Sequence, residues 1–319
     1  MTRPRLLQLS GAVIDLVYQV EALPKPGEEA RVLASRLAPG GGFNAMLAAR
    51  RAGMAVVYAA PHGSGPFADL LRQSLAQEFI EALLPATALD DQGLCTVLID
   101  ASGERTFITR DGAERAFDKE ALLGLEAGPQ DWWLLSGYGL AMPLSQEALA
   151  AWLDACPPAT RLVFDPSPVI AEIPETLLSR AVARSHWISA NRREALAITG
   201  ESEPQTAARA LQALTVDGGA LLRCGEAGCW LATSARAPLH LPAFPVDAID
   251  TNGAGDTHVG SFIAALSAGH PPADAAVFAN AAAALSTTRH GPATAPLASE
   301  TRAFMAKAEL KPETPLLQT

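Results

Sequence analysis

A glycine-rich segment in the last quarter of the chain carries the strongest chemical signal, Asp250-Thr-Asn-Gly-Ala-Gly-Asp256-Thr-His258. An apolar run begins at Val259, so the glycines come directly before a predicted helix. Glycine leaves no side chain to obstruct an approaching group. The backbone N–H groups of Gly253, Ala254 and Gly255 would therefore face a ligand from the positive end of the helix dipole. This arrangement predicts an anion hole.

A carboxylate stands in the same segment, where it would repel a bound phosphate. The position of Asp256 makes sense if its carboxylate accepts the proton of an attacking hydroxyl group, as a general base does in phosphoryl transfer. The alternative is structural: Asp256 only caps the helix and the glycines form a tight loop. The residue types favour the catalytic interpretation.

A second glycine run, Pro39-Gly-Gly-Gly-Phe-Asn44, opens another predicted helix. Three consecutive glycines let a ligand approach the backbone closely, and Asn44 can cap the helix or bind a hydroxyl group. Asp15 follows the first predicted strand, at the sheet edge where ligands collect. It either accepts hydrogen bonds from sugar hydroxyls or is a solvated loop residue, and position alone does not decide.

Two further residues follow a predicted strand at Trp187–Ser189. Asn191 and Glu194 begin the next helix, where Glu194 can hold a water-bound magnesium ion near phosphates or merely complement the helix dipole. In isolation the second interpretation is the stronger one.

A third glycine pattern, Gly63-Ser-Gly-Pro-Phe-Ala68, matches the G-x-G-x-x-A pattern of dinucleotide-binding turns. Pro66 removes one N–H donor from the turn. The acid required about 20 residues later is represented only by Glu78 or Glu81, neither at a clear strand end. NAD binding is therefore a weak hypothesis, and the absence of a G-x-x-x-x-G-K-[ST] segment excludes a Walker-type site.

The elements that must position these residues alternate along the chain. The predicted strands are Leu6–Leu9, Val56–Ala60, Trp132–Leu135, Leu162–Phe164, Trp187–Ser189 and Ala220–Arg223. The predicted helices are Asn44–Ala52, Ala68–Glu78, Gln146–Ala155, Pro174–Ala183, Arg193–Thr199, Glu203–Leu214, Thr257–Ala268 and Ala273–Thr288. Apolar strands separated by helices predict an α/β fold, a doubly wound and mainly parallel sheet with helices on both faces. We expect one domain over residues 1–319.

Two segments break this alternation, 16–38 and 95–113, because apolar and polar residues alternate in them. The turn Asp100-Ala-Ser-Gly103 joins two such runs as a hairpin. Half-buried strands of this kind do not belong in a doubly wound sheet. They predict a small β lid on one edge of the domain.

The net charge of the chain argues against some classes of binding partner. The 319 residues include 24 basic and 34 acidic side chains, a net charge of −10, so nucleic acid and anionic membranes would repel the protein on average. No window reaches the roughly 18–20 apolar residues of a membrane span. Asp15 interrupts the first apolar stretch and no cleavage site follows, so a signal peptide is not expected. We therefore expect a cytoplasmic protein whose four cysteines are free thiols.

In this order, the segments resemble the ribokinase-like (PfkB-type) family of carbohydrate and nucleoside kinases, from Leu6 to about Arg302. The segment from Asp250 to His258 is similar to the family signature D-T-x-G-A-G-D-[ST], and Gly40–Asn44 resembles the N-terminal signature. Ala190–Glu194 resembles the family's N-x-x-E element, and Cys224–Gly228 its nucleotide-side glycine turn.

The resemblance implies an ATP- and magnesium-dependent kinase of a small sugar or nucleoside. The implied catalytic groups are Asp256 as base and Gly253, Ala254 and Gly255 as anion hole. The implied sugar-binding residues are Asp15, Gly40, Gly41 and Asn44, beneath the lid. The implied nucleotide-binding residues are Asn191, Glu194, Gly225, Gly228 and Asn280, with Glu194 holding magnesium through water. Many members also bind a monovalent cation such as potassium, for which Asp250, the Asn252 carbonyl and the loop 289–291 are the matching region.

The sequence departs from the family pattern around the sugar. Val13 stands where ribokinase has a sugar-binding asparagine, His258 replaces a common phenylalanine, and Pro39 replaces a glycine. Leu135–Tyr138 lacks the acid that ribokinase presents there. These changes put ribose in doubt and leave a nucleoside or modified sugar open. A non-catalytic sugar or nucleotide sensor on the same fold is the alternative function, and pairing of lids in a homodimer is undecided.

Overall fold

The computed structural model describes residues 3–88 and 90–309 as two sheets with surrounding helices. The strands are β1 (Arg5–Gln8), β2 (Ala12–Val20), β3 (Val32–Gly41), β4 (Ala55–Tyr58), β5 (Glu81–Ala82), β6 (Leu94–Ile99), β7 (Arg105–Arg110), β8 (Trp132–Ser136), β9 (Arg161–Asp165), β10 (Trp187–Asn191), β11 (Gly219–Arg223), β12 (Cys229–Thr233) and β13 (Arg236–Leu241). The helices are α1 (Gly42–Arg51), α2 (Pro66–Gln77), α3 (Lys119–Leu123), α4 (Gly137–Ala141), α5 (Pro143–Ala155), α6 (Glu175–Arg184), α7 (Arg192–Thr199), α8 (Pro204–Ala213), α9 (Ala254–Ser267), α10 (Pro272–Thr287) and α11 (Ala298–Glu309).

The main sheet has the strand order β13-β12-β11-β10-β9-β8-β1-β4-β5. All neighbours from β11 to β5 are parallel, whereas β12 and β13 run antiparallel at one edge. Two groups of helices pack along it: α1 with α9 and α10, and α5 with α3, α4 and α6. Buried strands such as Trp132–Ser136 are apolar because helices cover both faces. The predicted α/β fold class is confirmed.

The strand order also shows where a ligand can bind. From β1 the chain moves outward through β4 to β5 and then returns to β8 on the other side of β1. A crevice opens at such a reversal, beyond the carboxyl ends of the two central strands. Gln8 and Ser136 end these two strands.

All six predicted core strands are present within one or two residues, but the β12–β13 hairpin was not predicted. Its outer strand is mostly exposed, with only Leu241 buried, as expected of an edge strand and not of a parallel core strand. The short β5 and the helices α3, α4 and α11 also escaped prediction, because segments of this kind carry little periodic signal.

The second sheet has the order β3-β2-β6-β7. Here the expected place of Asp15 is wrong: it lies in the middle of β2, paired with Ala38 and Cys95, and not at the end of the first core strand. The chain leaves the core sheet after Gln8 and bends at Ser10, so β2 starts at Ala12. The apolar residues after that bend resembled a continuation of the buried strand.

Glu114 joins the two ends of the β6–β7 hairpin. Its buried carboxylate accepts hydrogen bonds from the N–H groups of Gly93 (2.8 Å) and Gly112 (2.8 Å). Gly93 comes just before β6 and Gly112 comes shortly after β7. One side chain therefore holds both ends of the hairpin.

Two further expectations from the sequence concern disulfides and membrane-spanning helices. None of the four cysteines is paired in a disulfide. Within residues 3–88 and 90–309, every helix is too short or too polar to cross a bilayer.

Candidate active site

A cavity of about 410 Å³ opens at the carboxyl ends of the central strands. Its walls include the ends of β1, β8, β9, β10 and β11, the start of α1 and the first turn of α9. The residues that contribute are Gln8, Ser10, Gly41, Gly42, Ser136, Tyr138, Asp165, Ser167, Asn191, Glu194, Arg223, Gly253, Gly255 and Asp256. The cavity therefore lies in the crevice that the strand order creates.

The glycine segment forms the first turn of α9 at the cavity wall. Gly253 is the N-cap in a left-handed conformation (φ 73°), and a Cβ there would lie 3.1 Å from the Asn44 side chain. A Cβ on Gly255 would lie 2.8 Å from the Arg223 guanidinium. Of the three predicted anion-hole donors, Ala254 already donates its N–H to the Thr251 carbonyl, at 3.3 Å.

Asp256 lies in the first turn of α9, and the N-cap of this helix is Gly253 and not Asp256. Its Oδ2 accepts a hydrogen bond of 3.3 Å from Asn44 Nδ2. The Ala293 N–H donates to Asn44 Oδ1 (2.9 Å), which fixes the orientation of the Asn44 amide. Desolvation raises the pKa of Asp256 to about 7, with a further contribution from Asp165 and opposition from Arg223. A carboxyl group with this pKa can accept a proton at neutral pH.

Of the four predicted sugar-binding residues, only Gly41 lines the cavity directly. Asn44 contacts Asp256. Asp15 is buried and packs against Gly40. A Cβ on Gly40 would lie 2.2 Å from Asp15 Oδ2. Burial raises the pKa of Asp15 to about 6, and a hydrogen bond from Asn252 opposes the rise.

Asn191 and Glu194 form a reciprocal cap at the start of α7. Asn191 Oδ1 accepts from the Glu194 N–H (2.9 Å), and Glu194 Oε2 accepts from the Asn191 N–H (2.8 Å). Glu194 also faces the cavity, although only 2% of its surface is exposed. Burial, and next the neighbouring Asp165, raise the pKa of Glu194. The structural and the ligand-binding interpretations of this pair are therefore compatible.

The sequence analysis missed two charged residues at the same edge. Arg223 ends β11 and pairs through Nη1 with Asp165 Oδ2 (3.0 Å) and through Nη2 with Glu194 Oε2 (3.3 Å). Asp165 ends β9. A charged residue at the carboxyl end of an apolar parallel strand is the signal that could have found both.

Ser167 is a further residue that the sequence did not indicate. Its φ of 61° is left-handed although it is not a glycine, and its N–H donates to Asp165 Oδ1 (3.0 Å). Its hydroxyl is hydrogen-bonded to that of Ser136 (2.7 Å). Strained backbone of this kind is concentrated at binding sites.

A second cavity of about 650 Å³ adjoins the first. It contains Gly225, Gly228 and Asn280, the residues that the resemblance assigns to the nucleotide, together with His258. Arg223, Gly225 and Gly255 line both cavities. The two spaces therefore meet at the start of α9.

Asn280 and His258 fix one another in the wall of the second cavity. Asn280 Nδ2 donates to the carbonyls of Leu241 (3.1 Å) and Pro242 (3.0 Å), which can only accept. Asn280 Oδ1 must then accept from His258 Nε2 (2.9 Å), so the proton of the imidazole is on Nε2. Burial lowers the pKa of His258 to about 4, which keeps the ring neutral.

The region matched to a monovalent cation contains an ion pair. Asp250 Oδ1 contacts Arg105 Nη2 of β7 (2.5 Å) and accepts from the Asn252 N–H (2.9 Å). Its Oδ2 accepts from the Gly291 N–H (2.9 Å). Strand β7 therefore places a positive charge next to the carboxylate that the resemblance assigns to a monovalent cation.

Comparison with known proteins gives a consistent result. The model described as pfkB family carbohydrate kinase matches residues 5–299. The chain is 32% identical over 305 residues to the protein named "Uncharacterized sugar kinase YegV" of Escherichia coli K12, covering 94% of this chain and 93% of that one. It is 28% identical over 312 residues to ribokinase of Haemophilus influenzae, covering 95% of this chain and 99% of that one.

Among solved structures, ribokinase from Thermotoga maritima superimposes with a TM-score of 0.80 at 25% identity. The match covers 96% of this chain and 100% of that one. Because family model, relatives and fold agree over nearly the whole length, the chain belongs to the pfkB family of carbohydrate kinases.

Proposed function

We propose that the protein transfers the γ-phosphate of ATP to a hydroxyl group of a small sugar or nucleoside, with Asp256 as general base. The observation that carries this proposal is the place of the Asp256 carboxylate. It lies in the first turn of α9 and lines the first cavity. The second cavity, on the nucleotide side, shares part of its wall with the first. The relatives named as sugar kinase and ribokinase support an alcohol acceptor.

The proposed reaction is an in-line displacement. Asp256 takes the proton of the acceptor hydroxyl while its oxygen bonds to the γ-phosphorus, and the bond from that phosphorus to the ADP oxygen breaks. The N–H groups of Gly253 and Gly255 stabilise the charge that develops on the phosphoryl oxygens, and Ala254 joins them if its N–H leaves the Thr251 carbonyl. With a pKa of about 7, Asp256 is ionised in part of the molecules at neutral pH and is basic enough to accept a proton.

The chemistry of the site fits a magnesium ion. Magnesium is usually held by one or two carboxylates together with substrate phosphates and water. Asp165 and Glu194 supply two carboxylates in the cavity, whereas no group of three or more potential metal-binding side chains occurs in the described part of the chain. We assign them to magnesium, with Glu194 acting through water; the bound ion would neutralise phosphate charge.

Potassium remains a candidate cofactor at Asp250 and the Asn252 carbonyl. Arg105 already compensates Asp250 in this structure. We therefore propose that the Arg105 guanidinium takes over the electrostatic role of the cation. Measuring activity with and without potassium tests this proposal.

The acceptor is proposed to bind against polar groups at the strand ends. Gln8, Ser10, Ser136 and Ser167 give the cavity amide and hydroxyl groups suited to a polyhydroxylated ligand. We assign Asp15, Gly40, Gly41 and Asn44 to the same ligand, beneath a lid made of 16–38 and 95–113. The lid excludes water, which would otherwise accept the phosphoryl group.

The lid sheet also bears on assembly. Leu33, Leu37, Phe107 and Ile108 of this sheet are 47–60% exposed. The strand register places Leu37 and Ile108 on the same face. We propose that a second copy of the chain covers this face in a homodimer, which the molar mass in solution tests. We also propose that residues 1–319 form a single domain and that the protein is cytoplasmic.

The test is ADP release over a panel of sugars and nucleosides, with ATP, magnesium, and potassium present or absent. The proposal expects turnover with at least one alcohol. The alternative, a sensor, expects ligand-induced shifts in melting temperature and no turnover with any compound. Tight NADH binding that ATP and magnesium do not affect would revive the dinucleotide hypothesis for Gly63–Ala68.

A further inference from the structure

Arg223 occupies the place where the two cavities meet. Its side chain is 13% exposed, and with Gly225 and Gly255 it lines both spaces. The absence of a Cβ on Gly255 lets the guanidinium approach the start of α9, because a Cβ would lie 2.8 Å from Nη1. If phosphate passes from one cavity to the other, it passes this side chain.

The charges around Arg223 are unbalanced. Asp165 and Glu194 pair with its two terminal nitrogens, and the charge of Asp256 also acts on it. When all are ionised, three carboxylates surround one guanidinium. This side of the site therefore has too little positive charge, as expected where a cation binds.

The hydrogen bonds of Arg223 are incomplete as well. Its buried Nε has no acceptor among the described residues, although a guanidinium carries five N–H donors. The longer of its two ion pairs, to Glu194, measures 3.3 Å. A phosphate group offers a guanidinium two parallel acceptors, a geometry that would use Nε together with one terminal nitrogen.

We propose that Arg223 binds the transferring phosphate, and that Asp165 and Glu194 hold its guanidinium ready until the magnesium nucleotide arrives. On binding, the guanidinium leaves the two carboxylates, which become free for the cation, and turns toward the phosphate oxygens. The inference rests on the proposed function, since it assigns the phosphate to the junction of the two cavities. In the free protein, Arg223 therefore competes with a divalent cation for the same carboxylates.

The test measures divalent-cation binding in the absence of nucleotide. Arg223→Met removes the charge and keeps an unbranched apolar stem. We expect Mn²⁺, followed by electron paramagnetic resonance, to bind this variant at least about tenfold more tightly than the wild type, because the carboxylate pair is no longer occupied. Binding of a non-hydrolysable ATP analogue should weaken by at least about tenfold, and kcat should fall by roughly 10²–10³-fold.

Two further variants control for folding. Arg223→Lys keeps one positive charge but cannot bridge two carboxylates with a planar fork, so it should fold and still bind Mn²⁺ more tightly than the wild type. Arg5→Met breaks an ion pair of 2.8 Å to the buried Asp131, at the amino end of β1. It should lower the melting temperature without any change in Mn²⁺ affinity.

The outcomes separate the inference from the function on which it rests. Equal Mn²⁺ affinity in the wild type, Arg223→Met and Arg223→Lys overturns the inference, even if the wild type turns over a sugar. Undiminished binding of the ATP analogue by Arg223→Met overturns it too. Absence of turnover in the wild type over the whole panel overturns the proposed function, whatever the Mn²⁺ measurement shows.

Discussion

The raised pKa of Asp256 predicts that its carboxylate costs the fold stability. The charged form is desolvated among Asp165, Arg223 and Asn44, so the pKa rises from 3.8 to about 7. Below pH 3.8 both folded and unfolded chains hold the proton and there is no cost. Between these two values the folded chain binds more protons than the unfolded one, and stability falls as the pH rises. Above pH 7 the cost is complete, at most about 4 kcal/mol, since one pKa unit corresponds to about 1.4 kcal/mol.

Asp256→Asn removes this cost and also removes the base. The free energy of unfolding of the variant, relative to the wild type, should rise by about 3 kcal/mol between pH 5 and pH 8, while kcat falls by roughly 10²–10⁴-fold. Urea unfolding at the two pH values measures the first effect. Asp154→Asn, which alters an exposed carboxylate, is the control and should show no such dependence on pH. An equal stability difference at pH 5 and pH 8 would refute the argument that the site desolvates Asp256.

Four further predictions follow from contacts in the structure. The value of kcat/KM should rise about tenfold per pH unit below pH 7 and level off above it, because Asp256 must be ionised; a titration near pH 4 in the rate profile would contradict this. Gly40→Ala places a Cβ 2.2 Å from Asp15 Oδ2 and should raise KM for the sugar more than KM for ATP in steady-state kinetics. Glu114→Ala leaves two N–H groups without their acceptor, so it should lower stability by about 1–3 kcal/mol and increase hydrolysis of ATP without a sugar. Potassium should leave the rate of the wild type unchanged and activate Arg105→Met; activation of the wild type alone would show that the Arg105–Asp250 ion pair does not replace the cation.

The parts of the molecule that local sequence determines were predictable. The strand Trp132–Ser136 is buried throughout and apolar up to its final serine, and glycines lie at the starts of two helices, at 40–42 and 253–255. Local spacing was enough to place Asp256 next to a helix start, although α9 begins at Ala254 and not at the predicted Thr257. These features depend on residues within a few positions of each other, where periodicity and glycine chemistry act.

The remaining features depend on contacts between distant segments. Arg223 meets Asp165 only because β10 lies between β9 and β11, which puts the ends of three parallel strands at one edge. Asp15 belongs to the four-stranded sheet because the chain bends at Ser10, and no periodicity marks that bend. The Arg105–Asp250 ion pair joins segments 145 residues apart. Sequence patterns indicated the reacting groups but not the charges around them.

The family assignment and the proposed acceptor are separate conclusions. The fold and the glycine segments are those of a carbohydrate kinase. Gln8 and Tyr138 line the first cavity, where we propose that the acceptor binds, and the substrate panel identifies the alcohol that fits it.

The central claim is tested most directly by following phosphorus. The protein is mixed with ATP, magnesium and the best compound of the panel, and ³¹P nuclear magnetic resonance records the products. A new phosphomonoester signal should grow in step with ADP, and should be nearly absent with Asp256→Asn although that variant still binds both ligands. Formation of inorganic phosphate in place of the ester, or an equal rate in the variant, would contradict the account.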